Sequence, residues 1–332
     1  MAAGVLLGGL AAGVLLRPRA AEPPSFQVLT YSGDDTQPSV SPDGKTIAFT
    51  SLRDGRSRIW IKQLAGGGEA ALTEGPDMFP RFSPDGSAVL FVRQVADTRV
   101  TLPGPSVTAE SVALYRVPLV GGEVRKIVGQ ATEGDWSPDG REIGFLRVDL
   151  KEGKVESSVH RIAVDGTNER VVARVADRVL LRLCWSPDGL TLAAIEVSGA
   201  GTGRPRIVLF PLDGKAPRHL EAPESGGVLG FTWNGDGRHL IFLGGGSETG
   251  VGSRTTRVFL QGARTGKARA LLSGIDLRGA VEVLGPGSLL LVTGGRRSNL
   301  REVSLTKPGE AGRWLTRGSS VDRQPIYAPD GE

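Results

Sequence analysis

One short turn is written four times in this chain. It occurs as Ser41, Pro42, Asp43, Gly44; as Ser83, Pro84, Asp85, Gly86; as Ser137, Pro138, Asp139, Gly140; and as Ser186, Pro187, Asp188, Gly189. A degenerate copy, "TWNGDG", has Asn234 in the serine place, and a last one, "YAPDG", starts at Ala328. Successive spacings are 42, 54, 49 and 48 residues, then 94. The double gap hides one more copy, because "VLGPGSLLLVTGG" (283–295) aligns with "WNGDGRHLIFLGG" (233–245). A catalytic turn needs one copy. A connector is repeated when the sheet it serves is repeated.

The residues suit a hairpin reversal. Proline presets φ near −65°, aspartate caps backbone N–H groups, and glycine takes the positive φ that closes the turn. A short apolar strand follows each turn, as in "KTIAFTS", "SAVLFVR" and "REIGFLR". An alternating strand comes next ("RIWIKQL", "ALYRVPL", "RIVLFPL"), then a Gly-rich turn and a short closing strand. No segment after residue 20 sustains a helical period, and 48 glycines and 21 prolines favour turns. Four short strands per 42–54 residues, in six or more tandem copies, imply an all-β fold: a β-propeller of four-stranded blades.

The run "QPSVSPDGKTIAFTSLRDGRSRIWIKQLAGGGEAALTEG" resembles the WD-like repeat of the TolB type. It also resembles the propellers that precede prolyl oligopeptidase catalytic domains. The nearest resemblance is to the extracytoplasmic propellers of bacterial membrane receptors, whose cytoplasmic part is a serine/threonine kinase or a winged-helix domain. The resemblance covers residues 26–332 and implies a fold far more firmly than a function.

Six full blades are expected over 37–74, 79–130, 133–174, 181–221, 228–273 and 279–317. Residues 26–30 match a blade-ending strand and 321–332 a blade-opening one, so together they are expected to form parts of a seventh blade in a fragment of a longer chain. Residues 1–16 are uncharged and apolar, and 17–25 are charged and Pro-rich. The first stretch is shorter than the roughly 20 residues of a full span. It reads as part of a membrane helix or an atypical signal segment, followed by a linker. Either reading places the propeller outside the cytoplasmic membrane, single-pass and periplasmic in the receptor case.

The formal charge is +4, with basic and acidic residues interleaved and no basic block, so no nucleic-acid partner is expected. The single cysteine excludes an internal disulfide. No G-x-S-x-G elbow, phosphate loop or zinc spacing occurs, so no catalytic group, metal or cofactor is expected.

Binding to a propeller usually falls at one mouth of its channel, where the loops entering the innermost strands converge. Here those loops supply Asp34, Asp35 and Gln37; Asp77, Met78 and Phe79; Glu133; Arg178; Arg278; and Asp322, Arg323 and Gln324. Met78 with Phe79 suggests an exposed apolar contact. The long loop of the second blade, 94–111, is a second candidate. The resulting expectation is a non-catalytic sensor module that binds a protein or small molecule at the mouth and is anchored through 1–16. The alternatives are a TolB-like periplasmic scaffold and the propeller of a prolyl-oligopeptidase-type peptidase.

Overall fold

Short strands buried on both faces, with a reversal every few residues, leave this chain no option but sheets packed face to face. The computed structural model describes residues 24–95, 111–151, 153–199, 203–222, 227–245, 256–275, 277–293, 301–302 and 313–314. Residues 24–31 belong to a separate unit and form no strand. The apolar stretch 1–16 and the closing stretch 321–332 lie outside the described residues. Among the described residues no helix is long and apolar enough to cross a membrane.

From Ser32 onward the chain builds antiparallel sheets in strict sequence order. The first sheet is β1 (Asp35–Val40), β2 (Thr46–Ser51), β3 (Arg58–Gln63) and β4 (Glu69–Ala71). The second is β5 (Asp77–Phe82), β6 (Ala88–Gln94), β7 (Val112–Pro118) and β8 (Arg125–Gly129). The third is β9 (Glu133–Trp136), β10 (Glu142–Lys151), β11 (Lys154–Ala163) and β12 (Arg170–Ala176). The fourth is β13 (Arg178–Trp185), β14 (Thr191–Ser198), β15 (Arg206–Pro211) and β16 (Arg218–Leu220). The fifth is β17 (Val228–Trp233), β18 (His239–Gly245), β19 (Thr256–Gly262) and β20 (Ala268–Ile275). A sixth sheet shows β21 (Leu277–Gly285) paired with β22 (Ser288–Thr293), and β23 (Arg301–Glu302) pairs with β24 (Arg313–Trp314).

First strands touch first strands: β1 meets β5, β5 meets β9, β9 meets β13, β13 meets β17, β17 meets β21, and β21 meets β1. They are therefore the innermost strands of a propeller, and the sixth sheet lies beside the first. Among the described residues no further sheet intervenes between those two. Of the two pieces expected in a seventh blade, 26–30 is not a strand and 321–332 lies outside the described residues.

Apolar side chains fill the gaps between sheets as five wedges. Phe82 and Phe91 lie between the first and second sheets, and Trp136 and Phe145 between the second and third. Trp185 and Phe210 follow, then Trp233 and Phe242, then Leu243 and Val281. Each wedge belongs to two sheets, so no sheet has a core of its own.

The repeated turn behaves as its chemistry dictates. In all four copies the serine Oγ donates to the aspartate Oδ1 at 2.6 Å and accepts the N–H of the second residue past the glycine at 2.9–3.0 Å. The same Oδ1 accepts the N–H two residues on, as with Lys45 at 3.1 Å. These donors hold the carboxyls of Asp43, Asp85 and Asp139 below their usual range. The turns also lean on one another. A Cβ placed on Gly86 would lie 3.5 Å from Pro42, and one on Gly140 3.8 Å from Pro84. One on Gly44 would lie 2.9 Å from the carbonyl oxygen of Leu284, in the sixth sheet.

This seam predicts a graded response to alanine. Gly189→Ala forces a side chain to φ +73° with Pro138 at an ordinary contact distance of 4.0 Å, at about 1–2 kcal/mol. Gly44→Ala carries the same cost at φ +69° and adds a backbone collision. Urea unfolding is expected to rank Gly44→Ala well below Gly189→Ala. Equal midpoints would mean that the first and sixth sheets do not meet there.

Candidate functional site

An innermost strand is a sheet edge, with N–H and C=O groups that the sheet itself does not pair. Here side chains of one sheet bond the inner edge of the next. Ser39 Oγ accepts Phe82 N–H at 3.1 Å, and Asp135 Oδ2 accepts Trp185 N–H at 2.8 Å. Trp136 Nε1–H donates to the Arg81 carbonyl at 3.2 Å. One step further from the turn, Gln37 Oε1 accepts Phe79 N–H at 3.1 Å, and Glu133 accepts the N–H groups of Arg182 and Leu183. The first strands of the first, second and fourth sheets are bulged there, with Gln37, Phe79 and Arg182 at φ 49°, 56° and 57°.

Two residues before each turn, one side chain from every sheet reaches the same cavity: Ser39, Arg81, Asp135, Cys184, Thr232 and Glu282. The cavity measures about 250 Å³. Arg81 spans it. The guanidinium, only 8% exposed, pairs with Glu282 of the sixth sheet and lies 3.9 Å from the Cys184 sulfur of the fourth. Thr232 Oγ1 donates to the other Glu282 oxygen at 3.3 Å.

Burial sets the acid–base character of this ring. It pushes the Asp135 carboxyl up to about 6, against the opposing field of Arg81. It raises Glu133 as well, against Arg182, and lifts the Cys184 thiol to about 12. Desolvation lowers Arg81 most, but the fields of Glu282, Cys184 and Asp135 and the Glu282 hydrogen bond together outweigh it and hold Arg81 above its ordinary value. Arg182, 7% exposed, keeps Nε and Nη2 without a hydrogen-bond partner.

The mouth residues expected from sequence are mostly engaged inside their own sheets. Asp35 holds Arg53 at 2.8 Å, and Arg53 also pairs with Glu69. Asp77 is fully buried, accepting Arg93 Nε at 2.7 Å and Nη2 at 2.9 Å. Met78 and Phe79 are half-buried against the wedge between the second and third sheets, so they are not an exposed apolar contact. The bulge at Phe79 turns the chain inward. Glu133 is buried, and Arg178 lies 3.5 Å from Glu196, which Arg206 and His219 also hold. Asp34 is exposed, with its N–H on Ser32 Oγ, and Arg278 lies on β21. Gln37 and Phe79 are joined by a hydrogen bond, while Asp35, Asp77, Glu133 and Arg178 have separate partners. Residues 322–324 and 96–110 lie outside the described residues. The channel ring went unread in sequence, although its signal is a fixed offset from the repeated turn. Among the described residues no group of three or more His, Cys, Asp or Glu side chains could hold a metal.

No family model matches the sequence. An uncharacterized protein of Agrobacterium fabrum is 34% identical over 123 residues, which is 35% of this chain and 40% of that protein. An uncharacterized peptidase of Bacillus subtilis is 30% identical over 130 residues, 36% of this chain and 18% of the peptidase. The chain thus spans less than half the length of these curated relatives. Among solved structures, a TolB-like protein of Agrobacterium tumefaciens superposes with a TM-score of 0.55 at 20% identity, over 74% of this chain and 82% of that one. The fold is a TolB-like β-propeller.

The cross-channel pair predicts that Glu282→Gln, which removes the hydrogen-bonded counter-ion of the buried Arg81, costs about 3–5 kcal/mol in urea unfolding. The double variant Arg81→Met, Glu282→Leu should recover most of that loss. The raised Asp135 carboxyl gives a pH test. Its folded pKa, about 6, exceeds the ordinary 3.8, so the fold binds this proton more tightly than the unfolded chain does. Its contribution is greatest below pH 3.8 and is lost as pH rises through 6. Subtracting the Asp135→Asn stability profile from the native one should show that decline.

Proposed function

We propose that this chain is a non-catalytic binding propeller, the extracytoplasmic part of a membrane-anchored receptor. The observation that carries the binding reading is the channel ring. Positions that serve architecture repeat from sheet to sheet, as the serines, prolines and aspartates of the turns do. The six channel positions do not repeat: they are Ser, Arg, Asp, Cys, Thr and Glu, none of them aliphatic or aromatic, and all two residues before the turn. Four of them also join sheets, Ser39 and Asp135 through neighbouring N–H groups and Arg81 through Glu282, and a mixed set of donors and acceptors around one cavity is what a recognition site presents. A thiol lifted to about 12 is a poor nucleophile near neutral pH, and Arg81 is fastened to Glu282, which speaks for binding over chemistry.

The apolar residues 1–16 and the Pro-rich linker support the membrane part of the reading, with a kinase or winged-helix domain on the far side of the membrane. A second reading, a TolB-like envelope scaffold, is favoured by the share of the TolB-like structure that the chain covers. The propeller of a larger serine peptidase is a third, supported by the curated peptidase relative.

A phosphatase that is active only outside the cytoplasm, fused after Glu332 of the chain with its natural upstream sequence, separates these. The receptor reading expects activity that stays in membranes washed at high pH. Activity released into the soluble periplasm selects the scaffold, and an inactive fusion overturns both.

A further inference from the structure

The central cavity has one charge left over. Its wall carries one guanidinium, Arg81, and two carboxylates, Asp135 and Glu282. Arg81 is fastened to Glu282. Behind the wall, the field of Arg182 falls on Glu133. Asp135 spends Oδ2 on Trp185 N–H, and among the described residues no side chain donates to it. A buried carboxylate that must share its one counter-ion, Arg81, with Glu282 is costly, and burial raises the Asp135 carboxyl against the field of Arg81.

We propose that this cavity binds a small organic cation, a primary ammonium or guanidinium group on an apolar stem, with Asp135 as its counter-ion. This deepens the binding reading above and rests on it. The N–H donors of such a group find acceptors in Asp135 Oδ1, Ser39 Oγ and Thr232 Oγ1. The stem lies along Val40, Trp233 and Val283. The volume equals roughly eight waters at ~30 Å³ each, enough for a four- or five-carbon amine. An anion would face two carboxylates across the cavity. A metal ion would find one free carboxylate and a protonated thiol, too few ligands to replace its water.

The chain's one cysteine supplies the test, because Cys184 lines the same cavity. Two methanethiosulfonate reagents of similar size, 2-aminoethyl (cationic) and 2-sulfonatoethyl (anionic), are reacted with the native chain at pH 7.5. Each rate is divided by its rate with free cysteine. The cationic reagent is expected to be favoured at least tenfold. n-Butylamine and agmatine should slow it at millimolar concentration, while n-butanol and butyrate should not. Asp135→Asn should abolish the preference.

If that variant does not fold, lowering the pH on the native chain does the same work. The ratio of the two rates cancels thiol ionisation and should fall with a midpoint near 6. The groups facing Asp135 are Arg81 from β5, Glu282 from β21, Arg182 and Cys184 from β13, and Glu133 on its own strand. No preference, an anionic preference, or an unchanged preference in Asp135→Asn overturns the proposal. So does a thiol silent to both reagents in a chain whose urea midpoint millimolar n-butylamine does not raise, since burial of the thiol alone makes silence expected. The binding reading survives each of these outcomes, and the phosphatase fusion tests it separately.

Discussion

Every sheet of this propeller ends, at its inner side, in a strand with no further strand to pair with, and the rest of the structure depends on how those edges are satisfied. The solution is sideways. Ser39, Gln37, Glu133 and Asp135 each spend an oxygen on a backbone N–H of the following sheet. Such bonds do more than remove unpaired donors. They fix the height of one sheet against the next, so the apolar wedges meet in register and the turns fall into contact. Polar residues at the centre and apolar residues between the sheets are thus two parts of one packing arrangement.

The same arrangement explains why the centre is electrostatically loaded. Side chains that reach the axis from several sheets are brought close together whatever their charge. The inner strands shield them from water, so each charge is felt strongly by its neighbours. Arg81 is accommodated because Glu282 meets it. Glu133 and Asp135 are accommodated by backbone donors, and burial raises both carboxyls. The outer ends of the sheets handle charge differently. There arginines lie over aromatic rings, as Arg53 does over Trp60 at 4.4 Å and Arg147 over Phe145 at 5.0 Å, while carboxylates hold them from the side.

The fold was legible because its signals are local. A Ser-Pro-Asp-Gly turn states its geometry in four residues, and the spacing of its copies states the number of strands between them. The site was legible only in part. The channel position lies two residues before each turn serine, so it could have been read as a column down the repeats. Alternation along a strand does not say which of two faces looks toward the axis, and the column was passed over. The pairing of Arg81 with Glu282 crosses 201 residues, and no local pattern announces it. Phe79 shows a further limit: its backbone, at φ 56°, sits in a bulge that sends an apparently exposed ring back into the wedge.

Near-identical repeats pose a counting problem. Each sheet presents similar faces to its neighbours, so wedges and turns alone would tolerate a ring with a sheet gained or lost. The Arg81–Glu282 pair would not. It joins the second sheet to the sixth across the first, and its reach is limited by two side chains. One more sheet in the circle would draw the ends apart, and one fewer would crowd them. Among the described residues, the charges on the axis act as a ruler laid from the second sheet to the sixth across the first.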